Sequence, residues 1–143
     1  MADTTLEIEF RRWEARQAPG ERADPIWSLH AYRLARYLLD EARADVGSHN
    51  HRVSFAARDQ LITCVASISA NIGEGCSRQT QRDRARFYAY ALGSAREAVS
   101  WYAAIGDALP TGTSAVRAAA LTSIRRLLLG ILRRRTDPTW RRR

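Results

Sequence analysis

The sequence predicts an all-α protein, an antiparallel up-and-down four-helix bundle, and three observations carry that prediction. Apolar residues recur three and four positions apart through most of the 143 residues. Helix-start and helix-stop residues punctuate these runs. The links between the later runs are short, which makes consecutive helices antiparallel neighbours. No alternating strand pattern extends beyond Leu6 to Phe10.

Three segments follow from this reading: an N-terminal arm at 1–23, the bundle at 24–135, and a basic C-terminal tail at 136–143. The first segment, an arm or a docking helix, has Leu6, Phe10 and Trp13 at helical spacing before a Pro19-Gly20 breaker. Asp24 then serves as N-cap with Pro25 at the first helical position. Trp27, Ala31, Leu34, Leu38 and Ala42 form the first seam, widened by Tyr32, Ala35 and Leu39. That helix stops near Asp45, before the loop composition of residues 47–51.

The second helix runs from Val53 or Ser54 to Glu74. Leu61, Val65, Ile68 and Ile72 make its apolar line, and Gln60, Cys64, Ser67, Asn71 and Glu74 a polar line one residue's rotation away. Both lines are expected to face inward, with Asn71 and Glu74 buried or half-buried. Ala66, Ala70 and Gly73 leave room for a neighbouring backbone, and Gly75 is expected to end the helix as its C′ residue. Buried polar groups without partners cost roughly 1–3 kcal/mol each, so a structural polar network is expected among Ser67, Asn71, Glu74, Arg78, Ser94 and Glu97.

Thr80 with Asp83 caps the third helix. Its heptad reads Phe87, Ala91, Ser94, Ala98, Trp101, Ile105 and Ala108, and Gly93 beside the seam implies a close helix crossing. Residues 109–112 break the chain, and Thr113 or Ser114 caps the fourth helix. Val116, Ala120, Ser123, Leu127 and Ile131 form its core stripe. A second apolar line, Leu121, Leu128 and Leu132, either widens that stripe or covers a subunit interface.

The chemistry-bearing residues are sparse. A lone carboxylate beside an asparagine makes a poor catalytic constellation, so no catalytic residue is expected. Cys64 and Cys76 fit neither a disulfide scaffold nor a zinc site, and His30, His49 and His51 would need long-range convergence to bind metal. Neither metal nor cofactor is expected. No apolar run is long enough to span a membrane, and Met1 to Glu9 is acidic where a signal peptide is basic and then apolar, so a cytoplasmic location is expected.

The net charge of +8 resides from Thr111 onward, in Arg117, Arg125, Arg126, Arg133, Arg134, Arg135, Arg141, Arg142 and Arg143 against the single acid Asp137. These arginines are the candidate nucleic-acid-binding residues, suited to phosphate contact. The terminal arginines with Trp140 also suit anionic lipid, and an adaptor that docks a protein through the arm and second apolar line is the other reading.

Gln60-Leu61, Ala66-Ser67-Ile68, Ala70-Asn71-Ile72-Gly73-Glu74-Gly75, Arg78, Arg86-Phe87, Ala91-Leu92-Gly93-Ser94 and Glu97 together resemble the four-helix-bundle family encoded in intervening sequences of large-subunit ribosomal RNA genes. The accessory proteins of diversity-generating retroelements are a more distant likeness. The similarity covers Ile26 to Leu132. It implies a homopentameric ring with a basic surface, nucleic-acid binding without enzymatic activity and, in the retroelement branch, a reverse transcriptase as partner. The chain departs from the family pattern at Ile62-Thr63, where a basic pair is usual, at Ser69 and at Arg84. The arginine-rich fourth helix and tail would then supply the nucleic-acid surface.

Overall fold

The computed structural model describes residues 1–136, and among these the chain is all-helical. Its α-helices are α1 (Ala2–Ala15), α2 (Pro19–Ala23), α3 (His30–Asp45), α4 (Phe55–Ser77), α5 (Gln81–Ile105) and α6 (Thr113–Thr136), with 3-10 turns at Pro25–Ser28 and Gly106–Ala108. None of these helices is long and apolar enough to cross a membrane.

The caps explain the boundaries. Asp24 accepts the Ile26 N–H at 2.9 Å, but the turn it starts is 3-10, and extended backbone at Leu29 intervenes before α3. Ser54 accepts the Ala57 N–H at 3.2 Å to open α4. Thr80 accepts the Asp83 N–H at 3.1 Å while its hydroxyl donates to the Asp83 carboxylate at 3.0 Å, opening α5. Gly112, at φ 88°, turns the chain into α6 in the left-handed region that glycine tolerates.

Each long helix packs on its sequence neighbour, and α6 returns to pack on α3. Directions alternate: Gly75 approaches Tyr88 while Ser67 meets Ser94, and Gly106 approaches Ser114. The residues from Met1 to Ala15 are not a free arm. Helix α1 lies against α3 and α6, burying Leu6, Phe10 and Trp13. The Trp13 and Trp27 rings stack at 5.9 Å, and Phe10 meets Tyr37 edge-on at 5.8 Å. Burying such side chains contributes about 1.5–3 kcal/mol each, more than a flexible tail would forgo.

Three expectations change in the folded chain, and one stated alternative gains support. The α5 seam is turned partway: Ala91, Ala98 and Ile105 are buried as expected, but Tyr88, Ala95 and Tyr102 are buried in place of Phe87, Ser94 and Trp101, which sit on the flank. The cause is that α5 packs against α4 on one side and α6 on the other, so its core direction bisects the two. On α6, Leu121 and Leu128 are fully buried with Ile124 while Leu132 is half-buried, so most of the second apolar line widens the core of this chain. Gly75 does not cap α4, which continues to Ser77; a Cβ there would stand 2.7 Å from the buried Tyr88 ring. Gly93 marks no crossing, because no atom lies within 4 Å of the place its Cβ would occupy.

These two glycines give opposite predictions. Gly93→Ala should raise stability by about 0.5–1 kcal/mol, the helix-propensity difference with nothing to clash against. Gly75→Ala should lower it by about 1–3 kcal/mol through overpacking against Tyr88. Urea unfolding followed by far-UV circular dichroism reads both, and a loss for Gly93→Ala would contradict the open surface.

Candidate functional site

The polar line of α4 makes a small clasp to α5. Ser94 donates from Oγ to Ser67 Oγ at 2.9 Å, and Asn71 donates from Nδ2 to the same Oγ and to the Ser67 carbonyl, each at 2.9 Å. Ser67 Oγ thus accepts twice, filling both lone pairs. The clasp stops there. Glu74 is exposed and forms an i,i+4 pair with Arg78 at 2.6 Å on the surface. Glu97 is exposed too, and its charge acts on Cys64: burial first, and Glu97 second, push that thiol up to about 11. The thiol stays protonated at neutral pH. Two hydroxyls and an amide without a basic partner fix helix register.

The larger constellation surrounds Arg117. Expected on a phosphate-binding surface, this residue is only 6% exposed. It enters the interior because it lies on the line of Leu121, Ile124 and Leu128, all of which face the core. Its Nε donates to Asp45 Oδ2 at 2.8 Å and its Nη2 to Asp45 Oδ1 at 3.0 Å, a two-pronged pair. Nη2 also reaches Glu41 Oε2 at 2.7 Å, while Nη1 reaches Tyr37 Oη at 3.2 Å and Glu9 Oε2 at 3.3 Å. Tyr37 donates to Glu9 Oε2 at 2.7 Å, and Tyr102 donates to Asp45 Oδ2 at 2.9 Å. One guanidinium therefore joins groups from α1 and α3 to α6, and Tyr102 ties α5 in through Asp45.

The local electrostatics are self-consistent. Burial pulls the guanidinium toward deprotonation, but bonding to Asp45 and the charges of Asp45 and Glu41 outweigh it, and Arg117 is held more firmly protonated than usual. Burial raises the Tyr37 and Tyr102 phenols, and their carboxylate partners raise them further, so both remain donors. Glu41 is raised by burial and by Glu9 and Asp45, with Arg117 opposing. Three acids converge on one cation, and the two phenol donors make that tolerable. A signal for this cluster is present in the sequence: Leu34, Leu38, Glu41 and Asp45 continue one helical face, so the acids end a core stripe.

The remaining arginines of α6 do not behave alike. Arg125 is half-buried in a groove of about 440 Å³ between α5 and α6, with Nη2 3.4 Å from Thr122 Oγ1. Arg126, Arg133 and Arg134 are exposed. The side chain of Arg135, and Arg141, Arg142 and Arg143, lie outside the described residues. The register set by Gly106 against Ser114 carries residues 126–134 alongside the first half of α5, the end where Arg78, Arg82, Arg84 and Arg86 surround the α4–α5 turn. Sequence reasoning placed Arg78 in the polar network and named Arg84 and Arg86 among the family positions, but gave this second group no nucleic-acid role.

Residues 28–109 match the family model described as 23S rRNA-intervening sequence protein. The chain belongs to that family. No curated protein matches it. The matched span of this intervening-sequence family protein holds α3, α4 and α5, with the Ser67 clasp, the turn arginines and the Asp45 side of the buried cluster. Glu9 and Arg117 lie outside the span, so the cluster ties the matched core to the helices on either side of it.

Arg117→Met should cost about 3–5 kcal/mol at neutral pH, because it leaves facing carboxylates without their cation. The pH dependence follows from Glu41, whose pKa is already raised and would rise further. A carboxylate raised in the folded chain costs stability above its folded value, and that cost disappears as pH falls below the unfolded value. The deficit should therefore narrow as pH approaches 4.5, the ordinary value for Glu41; a pH series of denaturation midpoints for variant and parent measures it. Ser94→Ala, which removes one hydrogen bond of the clasp, should cost only about 0.5–1.5 kcal/mol in the same assay.

Proposed function

We propose that this protein binds nucleic acid through the phosphate backbone, without catalysis, using the end of the molecule at the α4–α5 turn. The observation that carries this reading is the gathering of exposed arginines there: Arg133 and Arg134 from α6 stand at the level of Arg86, with Arg82 and Arg78 beyond it at the turn. Glu74 pairs with Arg78 and Asp83 with Arg86 on this surface. Exposed cations gathered on one end focus a positive potential that attracts polyanions. Membership in a family named for 23S rRNA intervening sequences supports RNA as the ligand class.

In this proposal α3, α4, α5 and α6 are the antiparallel four-helix unit, and copies assemble into a ring, five in the form the resemblance implies, that repeats the cationic end and multiplies its field. Arg117 has no part in binding, since its donors are engaged inside. A reverse transcriptase, the partner implied by the retroelement likeness, would be a separate contact.

Contacts of this kind are strongly salt-dependent, with log K falling by about 0.9 per neutralised phosphate on duplex DNA and about 0.7 on single strands. Changing Arg126, Arg133 and Arg134 to Gln together should weaken binding to mixed-sequence RNA and flatten the salt slope by about 0.7 per charge that contacts phosphate. Fluorescence anisotropy across a salt series measures both quantities. No binding by the parent protein near ~50 mM salt, where such contacts are strong, would end the proposal and favour a protein adaptor.

A further inference from the structure

Phe87 and Tyr90 are aromatic residues that the rotated α5 seam leaves outside the core. Tyr90 is 52% exposed, and Phe87 is half-buried beneath two cations. The Arg78 guanidinium lies 4.7 Å from the Phe87 ring centroid and that of Arg86 5.3 Å from it, while the Tyr90 ring stands nearly perpendicular at 5.7 Å. Glu74 holds Arg78 at 2.6 Å, and Asp83 reaches Arg86 at 3.5 Å. Arg84 donates from Nε to the Arg78 carbonyl, fixing the turn that presents Arg78. One helical turn beyond Tyr90, Gly93 leaves open space where a side chain would stand.

We propose that this patch is a stacking platform for an unpaired base of a single-stranded nucleic acid, with the base on the open face of Tyr90 and its flanking phosphates on Arg78 and Arg86. The proposal rests on the phosphate-binding reading above and adds the strandedness of the ligand. Exposed tyrosine face and guanidiniums spread over a neighbouring ring are the two surfaces that nucleobases stack on. The backbone of the same ligand supplies the anions that this arginine-rich turn attracts. A duplex keeps its base faces stacked inside the helix and would gain nothing from Tyr90. A second copy of this chain placed face to face would set the same arginines against one another. The bare Gly93 fits as well, since a side chain there would crowd a base lying beside Tyr90.

The experiment uses the full chain with a mixed-sequence oligoribonucleotide carrying one 2-aminopurine, and with the same sequence as a duplex. The parent protein should quench 2-aminopurine on binding and should prefer the single strand. Tyr90→Ala should weaken single-strand binding about tenfold and abolish the quench, leaving duplex affinity unchanged, whereas Tyr90→Trp should retain both single-strand binding and quench. Unaltered single-strand affinity and quench in Tyr90→Ala would overturn the platform and leave phosphate binding standing. Equal losses on single strand and duplex would also overturn it. A Tyr90→Ala protein whose mass by light scattering falls would reassign the patch to contact between copies. Absence of binding by the parent to either strand form would remove both readings.

Discussion

Arg117 is a permanent charge carried into a place where water cannot solvate it, and much of the arrangement follows from what it then requires. A guanidinium in the interior is tolerable only when its donors are engaged by acceptors of opposite charge at good geometry. Asp45 meets it with two oxygens, Glu41 takes a third bond, and Glu9 with Tyr37 closes the remaining side. The excess of acids is moderated by Tyr37 and Tyr102, whose hydroxyls donate to Glu9 and Asp45. Apolar surfaces can slide with little loss, but this set of directions is satisfied in one register of four helices. The cluster is thus a positional constraint more than a source of net stability.

The Ser67–Asn71–Ser94 clasp does the same on a smaller scale between α4 and α5. It lies on the α4–α5 contact, while the Arg117 cluster reaches α1, α3, α5 and α6. Between them, every long helix has one polar contact that specifies its axial position. The apolar side chains of the core, Leu61, Ile68 and Ile72 among them, supply the burial but fit any rotation that keeps them inside.

Helix existence and the main apolar faces were legible from spacing, because Leu61, Val65, Ile68 and Ile72 obey one period and are all fully buried. The Ser54 and Thr80 caps were legible because they act within three residues. What was not legible depended on neighbours. A one-residue rotation of α5 separates Phe87 from Tyr88, and only the positions of α4 and α6 decide it. Glu74 and Asn71 share a line in the sequence, yet Glu74 is exposed and pairs on the surface with Arg78. Charge counted along the chain was misleading in the same way. The first 110 residues sum to neutral, but folding draws Glu9, Glu41 and Asp45 to Arg117 and leaves Arg78, Arg82 and Arg86 outside.

The position of α1 has a consequence for how the chain reaches this state. Its partners in α6 lie more than a hundred positions away, as the Glu9–Arg117 contact records, and pairings of such separation form late in folding. During synthesis, α3, α4 and α5 can associate as they emerge, each with its predecessor at hand. Helix α1 has one half of its seat on α3 early, but the other half exists only once α6 has left the ribosome. Nascent chains should therefore hold Leu6, Phe10 and Trp13 without their full cover until α6 emerges, the interval in which this protein most needs protection from aggregation.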